Sequence, residues 1–210
     1  MRVWTVVVAA GRGARFGRPK QYEMVAGRRL LDWALAAARS VSDGVVLVVG
    51  AGRGVEDEPL ADATVIGGDT RSASVRAGLS AVPAGTDVVV VHDAARPCAS
   101  PDLFRAVVAA VAGGADAAVP GLPVVDTIKR VDCEGVVVET LDRSALVAVQ
   151  TPQAFAGARL RDAHSSGDDA TDDAALVEAA GGRVVVVAGE VANAKVTEPG
   201  DLAAAEAHLR

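Results

Sequence analysis

Apolar β-branched runs alternate with helix-like segments along most of this chain. Strand-like runs fall at Val3–Ala9, Val45–Val49, Ala63–Ile66, Val88–Val91, Ala117–Val119 and Val184–Val187. Their nearly continuous Val and Ile content, without polar alternation, predicts strands covered on both faces. Helix-like patterns occupy about 29–40, 71–82, 101–112, 157–165, 172–180 and 200–209. Ser100-Pro101 supplies a Ser N-cap with Pro at the first helical position. Thr171, ahead of "DDAALVEAA", reads as a second N-cap with acids in the first turn. This βαβ rhythm predicts one mostly parallel, three-layer α/β sheet. The chain shows no repeat, low-complexity tract or domain-separating linker.

One segment departs from the rhythm. "PVVDTIKRVDCEGVVVETLDR" (Pro123–Arg143) holds two β-rich runs around "DCEG", with no helix between them. It reads as a β-hairpin of about 20 residues. Such an excursion covers an edge, projects toward a partner, or is a plain surface hairpin, and spacing alone does not choose.

Composition narrows the class. Half of the 210 residues are hydrophobic but only 3% are aromatic, so Val, Ala and Leu build the core. No apolar run approaches the ~18–20 residues of a membrane span. The N-terminus reads as a first strand rather than a signal peptide. Cys98 and Cys133 lie far apart and outside C-x-x-C spacing, which suggests neither a disulfide framework nor a zinc site. A cytoplasmic location is therefore expected.

Charge adds a pointer. The net charge of −6 argues against general nucleic-acid affinity. Residues 1–30 nevertheless carry Arg2, Arg12, Arg15, Arg18, Lys20, Arg28 and Arg29 against Glu23 alone. A cationic N-terminal region on an acidic chain suggests a small anionic ligand. Of the 21 basic side chains only Lys20, Lys129 and Lys195 are lysines. Lysine offers a compact point charge with rotatable donors that guanidinium does not mimic.

In open α/β sheets ligands sit beyond the carboxyl ends of strands, so the residues after each strand matter most. After Val3–Ala9 comes "AAGRGARFGRPK". A dinucleotide fingerprint would need a third glycine where Phe16 stands, and an acid ending the second strand. That strand ends "VVLVVGAG", and Asp32 falls inside a helix-like segment. Walker A also fails, because no Gly-Lys dipeptide occurs. There remains a glycine loop able to present backbone N–H groups to phosphates, followed by Arg15 and Lys20. After Val88–Val91 comes "HDAARP", where Asp93 can share Mg²⁺ with phosphate oxygens and Arg96 lies three residues on. His92 reads as a buried or capping histidine. No nucleophile elbow or metal-spaced His/Cys cluster occurs. Cations, one carboxylate and a glycine loop describe nucleotidyl transfer, in which the substrate supplies the attacking oxygen.

The ordered set "AAGRGARF", "PKQY", "GGDTRSASVRAGL", "VHDAARP", "PVVDTIKR", "DRSAL", "TPQAF", "TDDAALVE" and "KVTEPGDLAAAE" resembles the 2-C-methyl-D-erythritol 4-phosphate cytidylyltransferase family over nearly the whole length. The resemblance implies a three-layer, Rossmann-like nucleotidyltransferase fold spanning 1–210 as one domain, with 122–147 a β-arm exchanged across a homodimer. It implies transfer of a cytidylyl group from CTP to 2-C-methyl-D-erythritol 4-phosphate, with Mg²⁺ or another divalent cation on Asp93. Arg15, Lys20 and Lys195 would be catalytic. Ala9, Ala10 and Gly11 would pack against cytosine, Gly13 would belong to the phosphate loop, and Gly68, Asp69 and Ser74 would read the base. Asp93 would also contact the bound nucleotide. Arg96, Thr171 and the partner-delivered Thr127 and Arg143 would meet the acceptor, with Thr151 supporting, while Lys129 would belong to the arm. Three departures stand out: Phe16 replaces a usual methionine, Val8 replaces a frequent proline, and the stretch from Arg15 to Lys20 is short.

Three other readings share parts of this pattern. A cytidylyltransferase acting on ribitol 5-phosphate would keep the CTP site and differ where the acceptor binds. A non-catalytic nucleotide sensor would not require both Lys20 and Lys195. An NAD-dependent reductase conflicts with the failed fingerprint.

Overall fold

The computed structural model describes residues 1–52 and 58–210. Seven strands pair in the order β12-β7-β11-β6-β1-β4-β5: Val184–Ala188, Ala117–Pro123, Gln153–Ala156, Val88–Asp93, Val3–Ala9, Gly44–Val49 and Ala63–Ile66. An eighth, β10 (Val147–Val149), pairs with the outer end of β7. β1 runs parallel to β4 and β6, β4 to β5, and β7 to β12. The mostly parallel α/β sheet expected from the sequence is thus present. The exceptions are β10, antiparallel to β7, and β11, which lies antiparallel between β6 and β7. Its sequence, "QAFA", lacks the β-branched signature of its neighbours, and it is a strand because both flanking strands supply hydrogen bonds.

Helices α1 (Leu30–Arg39) and α3 (Pro101–Ala112) cover one face. The helices α2 (Arg71–Ala81), α4 (Gly157–Ala163) and α5 (Asp173–Ala179) cover the other. The final helix, α6 (Asp201–Leu209), packs near a two-stranded ribbon of β2 (Met24–Val25) and β3 (Arg28–Arg29). The β4 and β6 strands are buried at every residue, as continuous apolar runs predict. Both β5 and β12 are edge strands and only partly covered, which corrects the expectation that all six runs are sandwiched. Helix α2 approaches β1 closely at Gly78, where a Cβ would stand 2.4 Å from a Val6 methyl.

Caps follow local chemistry. The Ser100 hydroxyl accepts from Leu103 N–H at 3.0 Å, with Pro101 opening the helix. Asp32 accepts from the Arg29 backbone N–H at 3.0 Å, so it caps α1 and is no ribose ligand. For α5 the expectation was wrong by one residue. Asp172, not Thr171, is the N-cap, accepting from Ala175 N–H at 3.0 Å. A carboxylate is the stronger acceptor at the positive end of the helix.

The excursion after β7 is a hairpin of β8 (Lys129–Val131) and β9 (Val137–Thr140), paired antiparallel. Its turn forms around Asp132, whose Oδ1 accepts from Glu134 and Val136 N–H at 2.9 Å each. Every residue from Lys129 to Thr140 is exposed.

Candidate active site

Strand order reverses at β1, which is flanked by β4 on one side and β6 on the other, and ligand crevices form at such points. A cavity of about 740 Å³ opens there. The first loop leaves β1 at Ala9 and closes on itself: the Phe16 and Gly17 N–H groups donate to Gly13 O at 2.9 and 2.8 Å. Gly13 has φ +66°, and a Cβ there would stand 1.9 Å from Arg18 O, so only glycine fits. The Gln21 amide, from a 3-10 turn at Lys20–Tyr22, donates to Ala9 O at 2.7 Å and Gly11 O at 3.1 Å. The loop is therefore held at both ends, with Arg15 and Lys20 facing the cavity.

Asp93 ends β6 and is only 8% exposed. Lys195 Nζ donates to its Oδ2 at 2.5 Å, and Arg71 Nε lies 3.5 Å from Oδ1. Burial opposes its ionisation, but Lys195 and Arg71 outweigh that and hold the carboxyl well below the usual carboxylate range. Burial pushes the Lys20 ammonium below its ordinary value, and the nearby Lys195 and Arg15 charges add to this. A polyanion entering the cavity would relieve that repulsion.

The cavity thus gathers eleven of the expected residues: Ala9, Ala10, Gly11, Gly13, Arg15 and Lys20 from the first loop, Gly68, Asp69 and Ser74 around the start of α2, then Asp93 and Lys195. At its mouth Arg12 and Asp69 face each other at 3.9 Å, both exposed. Ser74 is buried, and its hydroxyl donates to Thr70 O at 2.9 Å.

The remaining expected residues lie elsewhere. Thr151 sits behind Asp93 rather than in the cavity, and its hydroxyl accepts from Asp93 N–H at 3.0 Å. The same hydroxyl meets His92 Nδ1 at 3.2 Å, and His92 Nε2 meets Arg96 O at 3.2 Å. Arg96 O can only accept, so the proton of the neutral imidazole sits on Nε2, and Nδ1 accepts from the Thr151 hydroxyl. Complete burial lowers the His92 pKa to about 4, in agreement. Arg96 Nη1 donates to Asn193 O at 2.8 Å, which ties the "DAARP" loop to the segment bearing Lys195. Thr127 and Arg143 are exposed on the arm, and the Arg143 guanidinium donates to Val125 O of the same arm. Thr171 is exposed on the α4–α5 loop. That loop is strapped to α2 by Thr70 Oγ1 donating to Asp169 at 2.7 Å and Ala170 N–H donating to Ser72 Oγ at 3.2 Å.

Three residues that matter here were not singled out from the sequence. Arg71 bridges Asp93 and the fully buried Asp173, to which its Nη1 donates at 2.7 Å. Asn193 and Gln150 form a buried bracket: Asn193 Nδ2 donates to Thr151 O at 2.9 Å, and Gln150 Nε2 donates to Glu190 O at 2.9 Å. The available signals were an arginine inside "GGDTRSAS" and an amide two residues before Lys195.

The family profile described as "IspD: 2-C-methyl-D-erythritol 4-phosphate cytidylyltransferase" matches residues 3–210. The chain belongs to this family. A 2-C-methyl-D-erythritol 4-phosphate cytidylyltransferase of Streptomyces avermitilis is 45% identical, over 99% of this chain and 92% of that protein. A bifunctional enzyme IspD/IspF of Clavibacter michiganensis is 44% identical over 98% of this chain. The chain spans about half the length of that relative, 54%. The crystal structure of the cytidylyltransferase from Thermus thermophilus superposes with a TM-score of 0.84 at 39% identity, covering 98% of each chain. Membership makes this unit a nucleotidyltransferase of the cytidylyltransferase kind. No helix among the described residues is long and apolar enough to cross a membrane.

Proposed function

We propose that this unit joins CTP to 2-C-methyl-D-erythritol 4-phosphate by in-line displacement. A phosphate oxygen of the acceptor attacks the CTP α-phosphorus, the bond to the bridging oxygen breaks, and pyrophosphate leaves. The observation that carries this reading is the convergence of Arg15, Lys20 and Lys195 on one cavity with a glycine loop. Negative charge grows there in the transition state, and fixed cations lower its cost. Arg15 and Lys20 hold the triphosphate, while Lys195 spans the acceptor phosphate and the α-phosphate. Ala9, Ala10 and Gly11 line the base side, where Gly68, Asp69 and Ser74 supply donors and acceptors for cytosine.

Asp93 is a cavity carboxylate whose Oδ1 keeps lone-pair capacity beside Arg71 at 3.5 Å. One carboxylate completed by substrate phosphates suits Mg²⁺. The ion would neutralise phosphate charge. Lys195 leaves Asp93 Oδ2 for the substrate phosphates as they bind.

Residues 122–147 act as an arm between two copies of this chain, delivering Thr127 and Arg143 to the neighbour's acceptor. Support comes from the exposed valines Val125, Val131, Val136, Val137 and Val138, together with Val147 and Val149 at its base. Val131 stands opposite Val137 across the hairpin, and exposed apolar side chains grouped in this way are usual at interaction surfaces. Arg96 and Thr171 complete the acceptor side, Thr151 supports Asp93, and the enzyme works in the cytoplasm. Purified protein with CTP and Mg²⁺ should release pyrophosphate with 2-C-methyl-D-erythritol 4-phosphate. Release with ribitol 5-phosphate alone would overturn the acceptor, and CTP binding without release would leave a sensor.

A further inference from the structure

Phe16 directly follows Arg15 and is only 6% exposed, although Arg15 and Gly17 on either side are exposed. Its ring does not join either core that sandwiches the sheet. It enters a third, small cluster with Val25, Leu30, Val196 and Ala205. Those partners come from the β2 ribbon, the start of α1, the residue after Lys195, and α6. Two of the three cations assigned to the chemistry thus have a chain neighbour in one apolar cluster: Arg15 through Phe16 and Lys195 through Val196.

Both sides of that cluster are anchored. On the loop side, the Arg18 guanidinium lies 5.8 Å from the Phe16 ring centre and donates to both Glu23 carboxylate oxygens at 2.6 and 2.8 Å. Gly13 and Gly17 take positive φ, which lets the short loop double back over Phe16. On the other side, Val196 N–H donates to Ala95 O at 2.8 Å, fixing it to the loop after β6.

We propose that Phe16 is a positioning residue for the transfer reaction, its ring joining the phosphate loop to the segment behind Lys195 so that the three cations surround one cavity before CTP arrives. Mutually repelling cations drift apart unless something else holds them, and a buried ring between their segments does so without competing for phosphate. The short Arg15–Lys20 stretch leaves little slack to be ordered on binding, which is the source of a preset geometry's advantage. This inference rests on the cation roles proposed above.

The test compares Phe16→Ala, Phe16→Leu and Phe16→Met with the parent in CTP calorimetry and steady-state kinetics. Phe16→Ala should lower kcat/KM for CTP by about 10–100-fold, the scale of a small misplacement of reacting groups. Leu or Met should restore most of the loss, because either refills the cluster. Val196→Ala, approaching from the opposite side, should show the same pattern and serves if Phe16→Ala does not fold. In a Lys195→Ala background, Phe16→Ala should cost much less than it does alone. Full multiplication of the two losses, or unchanged CTP affinity and kcat/KM in folded Phe16→Ala, would overturn the role. If the parent binds CTP but turns over neither acceptor, the proposed function fails while the calorimetric result still decides on Phe16.

Discussion

Asp93 lies almost out of solvent beneath Lys195 and Arg71, while the whole hairpin from Lys129 to Thr140 stands in water. The cavity side of the molecule pairs most of its buried polar groups within one chain, Arg71 Nη2, Arg96 Nε and Asn193 Oδ1 being exceptions. Its carboxylate, its amide bracket and its glycine loop are cross-bonded among β1, β6, α2 and the segment before α6. The arm contains its own turn and a short ladder, yet it leaves a row of valines uncovered and turns Arg143 back on itself. One region is finished by folding. The other, in the function proposed above, is finished by a second copy of the chain.

The sharpest way to break this contrast is to remove cations from the finished side. Lys20→Ala or Lys195→Ala should lower kcat by about 10²–10³, the scale of losing one transition-state donor. A rise in KM with kcat intact would reduce both residues to uniform binding.

Next in size is the arm. Arg143→Ala should cost about 10–100-fold in kcat/KM for the acceptor, the scale of one charge-assisted hydrogen bond. Mixing it with Lys20→Ala should recover activity that neither variant has, since one heterodimer site then holds an intact clamp and an intact arm. No recovery on mixing would sink the exchange.

Asn193→Ala probes how tightly the nucleotide side is cross-bonded. It removes a donor to Thr151 O and leaves buried polar groups unpaired, which should cost about 1–3 kcal/mol in denaturant unfolding. An equal change at an exposed arm position such as Thr140→Ala should cost far less.

The smallest effect concerns pH. His92 is neutral when folded, with a pKa of about 4 against 6.5 when free. The unfolded chain therefore binds the extra proton between those values, and stability is lost as pH falls through that window. Melting temperatures between pH 7 and pH 4.5 should fall less steeply in His92→Gln. Identical slopes would show that His92 is not the group responsible.

How much of this was legible in the sequence follows the same division. Continuous valine runs gave away the parallel strands, and the loop glycines with Lys20 and Lys195 gave away the cavity. The two lysines expected in the chemistry do line it, and Lys129 lies on the arm. Strand β11 was illegible because only Phe155 in "QAFA" favours a strand, and the neighbours on both sides supply the rest. Thr151 was expected as a supporting residue, but a motif shows only that a hydroxyl is present, not that it faces the Asp93 N–H. Arg71, Gln150 and Asn193 were missed because buried polar groups announce themselves only through their partners, which lie up to 102 residues away for Arg71. The Asp172 cap was misassigned by one residue because Thr and Asp compete in adjacent places, and only backbone geometry separates them.

The placement of β10 and β11 has one more consequence. The arm leaves the sheet from β7 and re-enters it along the same strand, Val149 pairing with Gly121 and Ala154 with Ala118. Its two ends are thus clamped side by side, as a cassette is held in a frame. Residues between those stumps can be lengthened, shortened or exchanged without moving a strand that carries the clamp. In the function proposed above, such a chassis would let the acceptor side change while the cation-lined cavity is kept.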